Sequence, residues 1–491
     1  MSEARIVIAA PASGSGKTTV TCALLAALKL RGICAVSFKC GPDYIDPLFH
    51  EQVIGVPSET LDLFFSEPAD LRRIVRRHAS ESEIAVIEGV MGYYDGLGAA
   101  EDTASTYRVA AALDAPAVLV LDARGQSLSA IAVLEGFLKF RPDSRIRGVI
   151  FNRMSERVFL SLQKEVERLG IVPLGYLPRS EDFVIGSRHL GLITPDGIKD
   201  LKEKLSILAK TIEHTVDLDR LLALAKTASP LPENGTVCAS GRAAADASGR
   251  DAADTSAGNT QPGDTHAASR KVRIAAAKDE AFCFWYKDNL RMLEELGAEI
   301  VFFSPIRDAA LPENIQGLLL PGGYPELFAR KLAENVSMRN SVREAVRSGL
   351  PAIAECGGFL YLHREIEDMD GTYYPMAGVL DAKAWRTDRL GRFGYVTLRA
   401  KEGGGLLASG EEIRGHEFHY YESESCGSDL SAVKPDGRSR WDCGHMRGNL
   451  LALFPHLYFG SCPQAAERFV RRCQAYAEKP ADPAGTGTKE R

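Results

Sequence analysis

The amino-acid sequence predicts an α/β protein built from two doubly wound domains, each with a mostly parallel sheet. Short apolar runs alternate with amphipathic helical stretches through residues 1–228, and the same alternation resumes in residues 271–476. Residues 229–270 are rich in Ala, Gly, Ser, Asp and Thr and contain almost no large apolar side chains, so we expect a disordered linker there. Residues 477–491 are expected to form a flexible tail.

The composition is typical of a soluble globular protein. Of the 491 residues, 45% are hydrophobic and 25% are charged, and the formal net charge of −6 argues against nucleic acid as a partner. No apolar run is long enough to cross a bilayer and no signal pattern is evident, so we expect no membrane partner. The ten cysteines include no Cys-x-x-Cys pair, which favours reduced thiols. These features predict a cytoplasmic protein.

A glycine-rich turn separates the first predicted strand from the first predicted helix. The segment RIVIAAPASGSGKTTV, residues 5–20, departs from the strict phosphate-loop pattern at Pro11, where glycine is usual. Glycines here let backbone N–H groups converge on a phosphate, while the lysine reaches a terminal phosphate and the next hydroxyl binds Mg²⁺. The alternative is a glycine turn with an exposed lysine. The predicted ATP-binding residues are Gly14, Ser15, Gly16, Lys17, Thr18 and Thr19.

Carboxylates follow two of the predicted strands. The segment KCGPDYIDPLFH, residues 39–50, is expected to be a loop at a strand end, where ligands bind in parallel α/β sheets. In this loop Asp43 and Asp46 are candidate metal or substrate ligands, and Tyr44 is a candidate substrate contact. The alternative is that the segment is a turn in which an Asp caps the next helix. Glu88 ends the apolar strand IAVIE and is the expected metal-coordinating acid. The predicted Mg²⁺ ligands are Thr18, Asp46 and Glu88.

Two other polar residues of the first domain are candidate ligand contacts. Asn152 lies at the carboxyl end of a predicted strand, near where a nucleotide base would project, and a strand cap is the alternative. His189, in RHLGLIT, is expected to face the substrate cleft, and a packed histidine is the alternative.

In the second domain a cysteine lies at a sharp turn between a strand and a helix. In PAIAECGGFLYL, Cys356 follows an apolar strand, so its sulfur should be presented as in the nucleophile elbow of hydrolases. We expect the helix N-terminus to lower the pKa of this thiol. His456, at a strand end in LLALFPHLYF, is the candidate base that activates the thiol for acyl transfer. The alternative is a buried structural cysteine.

Glycines near this cysteine predict an oxyanion hole. Gly323, in LLLPGGYPE, and Gly357 are the expected backbone N–H donors. No acid that would orient the imidazole is evident, because Tyr458 stands two residues after His456. The segment RGHEFHYYES, residues 414–423, is interpreted as a strand that faces the substrate or joins the domains, in preference to a metal site.

The two halves of the sequence predict two linked chemistries. A phosphate loop with a downstream acid indicates that ATP is consumed, and a Cys/His pair with an oxyanion hole indicates that an amide is opened. Glutamine hydrolysis would then supply ammonia to a carboxylate activated as an acyl phosphate. The rival function is a partition-type ATPase switch that carries an inactive amidotransferase module.

Several motifs together resemble one known family. PASGSGKTT, GPDYIDP, EGVMG, RHLGL, PGGYPELFA, AECGGF, RGHEFHY and PHLYF occur in the order and at the approximate spacing found in the cobyrinic acid a,c-diamide synthase family. The resemblance implies a P-loop NTPase-like first domain, similar to dethiobiotin synthetase, and a second domain of the class I glutamine amidotransferase type. It implies amidation of the a and c acetates of cobyrinic acid in cobalamin biosynthesis. Relatives act on hydrogenobyrinic acid, nickel-sirohydrochlorin or sirohaem.

The resemblance also implies ligands and residue roles. The implied partners are a tetrapyrrole, glutamine and ATP, with Mg²⁺ as cofactor, and a homodimer is a possible assembly. The loop from Asp43 to Asp46 falls on the region that meets the tetrapyrrole carboxylates. By this resemblance Lys17 binds phosphate, Thr18 binds Mg²⁺ and Glu88 is the metal-coordinating acid. Cys356 is the nucleophile and His456 is the general base.

Overall fold

The protein is described here from a computed structural model. It covers residues 3–79, 81–180, 195–232 and 271–478. His189, most of the predicted linker (233–270) and most of the predicted tail (479–491) lie outside the described residues. Below, the amino-terminal half means the described residues up to 232, and the carboxyl-terminal half means those from 271.

The amino-terminal half contains one seven-stranded sheet. Its strands are β1 (Arg5–Ala9), β2 (Ala35–Cys40), β3 (Ser58–Leu61), β4 (Ile84–Glu88), β5 (Ala117–Asp122), β6 (Ile146–Asn152) and β7 (Val172–Leu177). They lie in the order β3-β2-β4-β1-β5-β6-β7, and every neighbouring pair is parallel. This arrangement confirms the predicted parallel α/β architecture.

Helices cover both faces of this sheet. They are α1 (Lys17–Leu30), α2 (Ile45–Phe49), α3 (Pro68–Ala79), α4 (Thr106–Ala112), α5 (Leu128–Phe140), α6 (Glu156–Arg168), α7 (Pro195–Thr215) and α8 (Leu218–Ala225). Successive side chains of a strand point to opposite faces. Accordingly, Ile6 and Ile8 pack into one apolar core while Val7 and Ala9 pack into another. Each face of the sheet therefore has its own core.

The carboxyl-terminal half contains many short strands. They are β8 (Val272–Ala277), β9 (Phe282–Phe284), β10 (Ala298–Phe303), β11 (Gly317–Leu320), β12 (Gly322–Gly323), β13 (Ala352–Glu355), β14 (Glu365–Glu367), β15 (Tyr373–Pro375), β16 (Lys383–Arg386), β17 (Gly394–Ala400), β18 (Glu412–Glu417), β19 (Tyr421–Ser423), β20 (Leu430–Val433), β21 (Arg440–Cys443), β22 (His445–Arg447), β23 (Leu450–Leu453) and β24 (His456–Leu457). Its helices are α9 (Lys287–Glu295), α10 (Ala329–Glu334), α11 (Val336–Arg347), α12 (Gly357–Tyr361) and α13 (Pro463–Ala477).

The main sheet of this half is mostly parallel, as predicted. It has the order β10-β8-β11-β13-β23-β22, and only β22 runs antiparallel to its neighbour. A second sheet, β21-β20-β17-β18-β24, is antiparallel throughout and was not predicted. It pairs His416 of β18 with His456 of β24, which follows the carboxyl end of β23 of the main sheet.

The two halves pack directly against each other. The Tyr395 hydroxyl donates a hydrogen bond to Asp62 Oδ2 at 2.7 Å. The rings of Phe65 and Tyr458 stack with centroids 5.1 Å apart. These contacts hold the segment after β3 against the carboxyl-terminal half. Within the described part of the chain, no helix is both long and apolar enough to cross a membrane.

Candidate active site

The predicted phosphate loop leads from β1 into α1 and is supported by β6. Gly16 caps α1 with a φ of 97°, a left-handed conformation that favours glycine. A Cβ atom at Gly16 would lie 2.1 Å from Nδ2 of Asn152, so the loop and this side chain are in close contact. The same Nδ2 donates a hydrogen bond to the Ser15 carbonyl at 2.9 Å. The structure thus places Asn152 beneath the loop, where it fixes the loop conformation.

Lys17 begins α1 and is buried beneath the loop. Its Nζ donates to the Ala12 carbonyl at 3.3 Å and to the Met91 carbonyl, both neutral acceptors. Burial, and next the charge of Lys39, lower the pKa of Lys17 to about 8. An anionic phosphate beside this ammonium would favour its charged form, so the position suits a nucleotide phosphate.

A buried cluster of charged groups lies next to the loop. Thr18 Oγ1 donates to Glu88 Oε1 at 2.6 Å, and Lys39 Nζ donates to the same oxygen at 2.8 Å. Lys39 Nζ also lies 2.5 Å from Asp46 Oδ2. His50 Nε2 lies 3.4 Å from Glu88 Oε2. The cluster forms because β2 and β4 are parallel neighbours, which sets Lys39 opposite Glu88 at the carboxyl ends of both strands.

Burial and neighbouring charges set the ionisation of this cluster. Burial raises the pKa of Glu88, but Lys39 and then His50 outweigh it and hold that pKa below its ordinary value. Burial lowers the pKa of Lys39, yet the Glu88 and Asp46 carboxylates hold it well above its usual range. Burial, followed by the charge of Glu88, raises the pKa of Asp46. Lys39 and Glu88 are therefore charged, and of the two carboxylates Asp46 more readily accepts a proton.

The oxygen atoms of this cluster fit Mg²⁺ bound together with a nucleotide. Thr18, Asp46 and Glu88 all contribute oxygens, and Glu88 Oε2 is buried without a hydrogen-bond partner. Across the described ranges, no group of three or more His, Cys, Asp or Glu side chains forms a metal site. Mg²⁺ usually combines one or two carboxylates with phosphates and water, so such a group is not needed.

Asp43 and Tyr44 of the predicted substrate loop have different surroundings. Asp43 Oδ1 accepts hydrogen bonds from the backbone nitrogens of Ile45, at 2.8 Å, and Asp46, at 3.3 Å. Asp43 therefore supports the start of α2, which was the alternative interpretation. The Tyr44 ring instead reaches the carboxyl-terminal half, where it lies 5.2 Å from the ring of Phe284.

Cys356 occupies the predicted turn between β13 and α12. Its φ of 44° and ψ of −102° are strained for a residue with a side chain, as in a nucleophile elbow. The expected lowering of the thiol pKa is wrong, because burial and next the charge of Glu326 raise the pKa of Cys356. Burial lowers the pKa of His456 to about 3. At pH 7 the thiol is therefore protonated and the imidazole is neutral.

Glycines allow the imidazole and two backbone strands to approach closely. A Cβ atom at Gly322 would lie 2.1 Å from Cε1 of His456. A Cβ atom at Gly357 would lie 3.0 Å from the backbone nitrogen of Gly323. The two predicted oxyanion donors, Gly323 and Gly357, are therefore adjacent in space. His456 packs against Gly322, the residue before Gly323.

Sequence reasoning missed an acid beside the imidazole. Glu355 Oε2 lies 4.0 Å from Nδ1 of His456, a buried nitrogen with no hydrogen-bond partner. Glu355 Oε1 accepts a hydrogen bond from the Leu457 backbone nitrogen at 3.2 Å. Burial raises the pKa of Glu355 to about 8. The available signal was an acid directly before the cysteine, at the carboxyl end of β13.

The histidines of the HEFHY segment do not form a metal site. His419 Nε2 is hydrogen-bonded to Glu417 Oε1 at 2.7 Å and Nδ1 to the Tyr421 carbonyl at 2.6 Å, so both ring nitrogens are occupied. His416 and His419 nevertheless line the same cavity as Cys356. Their position fits the interpretation of this segment as one that faces the substrate.

One cavity combines residues from both halves of the chain. This glutaminase cavity has a volume of about 320 Å³ and is lined by Cys356, Gly323 and His456 together with Asp43 and Tyr44. The ring centroids of Tyr44 and His456 are 5.1 Å apart. The loop after β2, which leads into α2 and Asp46, therefore closes the pocket of the candidate nucleophile.

Comparisons with known proteins match both halves. Residues 6–192 match the CobQ/CobB/MinD/ParA nucleotide binding domain, and residues 273–463 match the CobB/CobQ-like glutamine amidotransferase domain. The chain is 36% identical to a cobyrinate a,c-diamide synthase from Caldanaerobacter subterraneus subsp. tengcongensis, over 96% of this chain and 99% of the relative.

Other relatives agree with this match. The chain is 38% identical to a cobyrinate a,c-diamide synthase from Listeria innocua, over 94% of this chain and 97% of the relative. It is 39% identical to one from Gloeobacter violaceus, over 96% of this chain and 97% of the relative. The phosphate loop, the cysteine elbow and these full-length similarities together show that the chain belongs to the cobyrinate a,c-diamide synthase family.

Proposed function

We propose that this protein amidates the a and c acetate carboxylates of cobyrinic acid in cobalamin biosynthesis, consuming ATP and taking nitrogen from glutamine. The observation that carries the proposal is the glutaminase cavity, in which Cys356 and His456 meet the loop of Asp43 and Tyr44. That loop leads directly to Asp46 and so to the buried charged cluster of Lys39, Asp46 and Glu88, called the phosphate-binding cluster below because we propose that it binds phosphate. Ammonia released at the sulfur would therefore arise beside the elements that activate the acceptor.

Glutamine hydrolysis would begin with proton transfer from the Cys356 thiol to the His456 imidazole. The thiolate then attacks the glutamine side-chain carbonyl, and the N–H groups of Gly323 and Gly357 stabilise the oxyanion. His456 returns the proton to the departing ammonia. Water then hydrolyses the thioester to glutamate and restores the thiol. Glu355 would stabilise the imidazolium formed in the first step.

The amino-terminal half would activate the acceptor carboxylate. ATP would lie with its phosphates on the loop from Gly14 to Thr19, and Thr18, Asp46 and Glu88 would hold Mg²⁺, which would offset the phosphate charge. Lys17 and Lys39 would stabilise the transferring phosphoryl group. An acetate oxygen attacks the γ-phosphorus and displaces ADP, which gives an acyl phosphate. Ammonia then attacks its carbonyl carbon, and inorganic phosphate leaves.

Product analysis with purified protein tests this function. With cobyrinic acid, Mg²⁺, ATP and glutamine, mass spectrometry should show a monoamide and then a diamide. Cys356→Ala should lose glutamine-dependent amidation and keep amidation with ammonium. Diamide formation only from hydrogenobyrinic acid, nickel-sirohydrochlorin or sirohaem would correct the substrate. ATP hydrolysis without any amide product would overturn the proposal in favour of a nucleotide switch.

A further inference from the structure

A second cavity lies between the two halves, on the other side of the substrate loop. This interdomain cleft has a volume of about 680 Å³, within the range of pockets for small molecules. From the amino-terminal half, Asp43, Tyr44 and Thr60 line it. Thr60 of β3 is the strand partner of Lys39 on β2, so the cleft begins one strand away from the phosphate-binding cluster.

The carboxyl-terminal half contributes aromatic surface to this cleft. Trp285, Phe302 and Phe328 line it, and Phe302 is 46% exposed although it lies on β10. Phe302 is paired with Ala276 near the end of β8, so its ring stands at the carboxyl edge of the main sheet. An exposed ring at a ligand-binding edge suits a ligand with a broad apolar face.

Among the described residues, two lysines of the cleft form no ion pair with a carboxylate, although Lys331 interacts electrostatically with Glu280. The other cations are paired, Lys287 with Glu51 and Arg307 with Glu280. Among the described residues, no carboxylate lies within ion-pair distance of the two lysines, which are Lys278 and Lys331.

Each of these two lysines lies over an aromatic ring of the cleft. Lys278 Nζ is 4.5 Å from the centroid of Phe302, and Lys331 Nζ is 5.7 Å from the centroid of Phe328. Each site therefore offers an ammonium group next to an apolar face.

We propose that the interdomain cleft binds the tetrapyrrole, whose ring lies on the aromatic wall while Lys278 and Lys331 bind carboxylates that do not react. This inference rests on the proposed function and adds that the glutaminase half selects the acceptor. A tetrapyrrole polycarboxylate combines a broad apolar ring with acidic groups at its rim. The aromatic side chains of the cleft would contact the ring, and the two lysines beside them would bind the acidic groups. The acetate nearest Tyr44 would then lie between the phosphate-binding cluster and the glutaminase cavity.

Steady-state kinetics of charge-neutral variants test this site. Lys278→Gln and Lys331→Gln should each raise the KM for cobyrinic acid by up to about fivefold, as expected for a partly exposed ion pair. The double variant should raise it by roughly tenfold or more. The KM values for ATP and glutamine should stay unchanged. Arg330→Gln is the matched control, because Arg330 precedes Lys331 on α10 but pairs with Glu334.

Direct binding gives a second readout. Titration of wild-type protein into cobyrinic acid without ATP should shift the visible spectrum of the tetrapyrrole, and Phe302→Ser should weaken this binding without changing glutamine hydrolysis. The site is overturned if wild type forms the diamide while the double lysine variant keeps the wild-type KM for the tetrapyrrole. The proposal would also be overturned if the variants raised the KM for ATP and not that for the tetrapyrrole, because the lysines would then bind the nucleotide. Absence of any amide from wild type would instead overturn the proposed function.

Discussion

The Tyr44 ring of the amino-terminal half packs against the His456 imidazole of the carboxyl-terminal half, with centroids 5.1 Å apart and ring planes inclined by 43°. Asp43 and Tyr44 are also the residues that the glutaminase cavity and the interdomain cleft have in common. Tyr44 therefore separates the cavity where ammonia is proposed to form from the cleft where it is proposed to react.

Removal of the Tyr44 ring should uncouple the two reactions. In Tyr44→Ala the wall between the cavities is lost, so we expect ammonia to escape and glutamate production to exceed amide production. Parallel measurement of glutamate by coupled assay and of amide by mass spectrometry gives this ratio. Tyr44→Phe keeps the ring and should keep a ratio near that of wild type. Equal glutamate and amide yields from Tyr44→Ala would show that the ring is not part of the wall.

Glu355 is expected to support the imidazolium form of His456. At pH 9, where the Glu355 carboxyl group is ionised, Glu355→Gln removes a negative charge 4.0 Å from Nδ1. We expect kcat for glutamine hydrolysis to fall by roughly tenfold to a hundredfold, less than the ~10⁴ lost when a directly bonded orienting acid is changed. Amidation with ammonium as nitrogen source should remain at the wild-type rate. A parallel fall with both nitrogen sources would indicate a structural effect and contradict this role.

The pH profile of glutamine hydrolysis should reflect the same carboxyl group. Burial raises the pKa of Glu355 to about 8, so the group is mostly neutral at pH 7 and becomes a carboxylate as the pH rises through 8. Only the carboxylate can stabilise the imidazolium, so kcat should increase between about pH 7 and 9. In Glu355→Gln kcat should increase less over this pH range, because the amide cannot ionise. An identical profile in the variant would assign the alkaline limb to the Cys356 thiol alone.

The parts of the site that the sequence predicted are contiguous motifs. The phosphate loop and the turn at Cys356 each lie between a strand and a helix, and both were found where the residue pattern placed them. Local chain geometry determines these features, so a short segment is enough to recognise them.

The missed features depend on contacts between distant segments. Lys39 meets Glu88 only because β2 lies beside β4, an order that periodicity does not reveal. The Tyr44 contact depends on how the halves dock, and Glu355 was overlooked because the acid was sought after His456. In the antiparallel sheet that carries His456, three of the five strands have only two or four residues, which leaves little alternation to recognise.

Gly322 offers a test of the position of the imidazole. A Cβ atom there would lie 2.1 Å from Cε1 of His456, so Gly322→Ala must displace the ring. Displacement of a catalytic group by about 1 Å costs roughly a hundredfold in rate, and we expect that loss in glutamine hydrolysis with ammonium-dependent amidation retained. Gly136→Ala is the control, because no atom lies within 4 Å of a Cβ at that glycine. Near-normal glutamine hydrolysis in Gly322→Ala would place the active base elsewhere.

Lys39 should be required for stability as well as for catalysis. It is 4% exposed and lies between the carboxylates of Asp46 and Glu88, so Lys39→Met deprives two buried acids of the lysine that pairs with both. We expect the free energy of unfolding of the amino-terminal half to fall by about 3–5 kcal/mol, as for other broken buried ion pairs. Denaturant titration with a spectroscopic probe in that half measures the change.

The double variant Lys39→Met/Glu88→Gln separates the two roles of this cluster. Removal of the Glu88 charge relieves the repulsion with Asp46, whose pKa burial already raises, so much of the lost stability should return. Activity should not return, because the double variant lacks both the lysine proposed to stabilise the phosphoryl group and the acid proposed to hold Mg²⁺. ATP-dependent amidation with ammonium as nitrogen source measures this directly, independent of the cysteine. Recovery of amidation together with stability would show that Lys39 and Glu88 only support the fold.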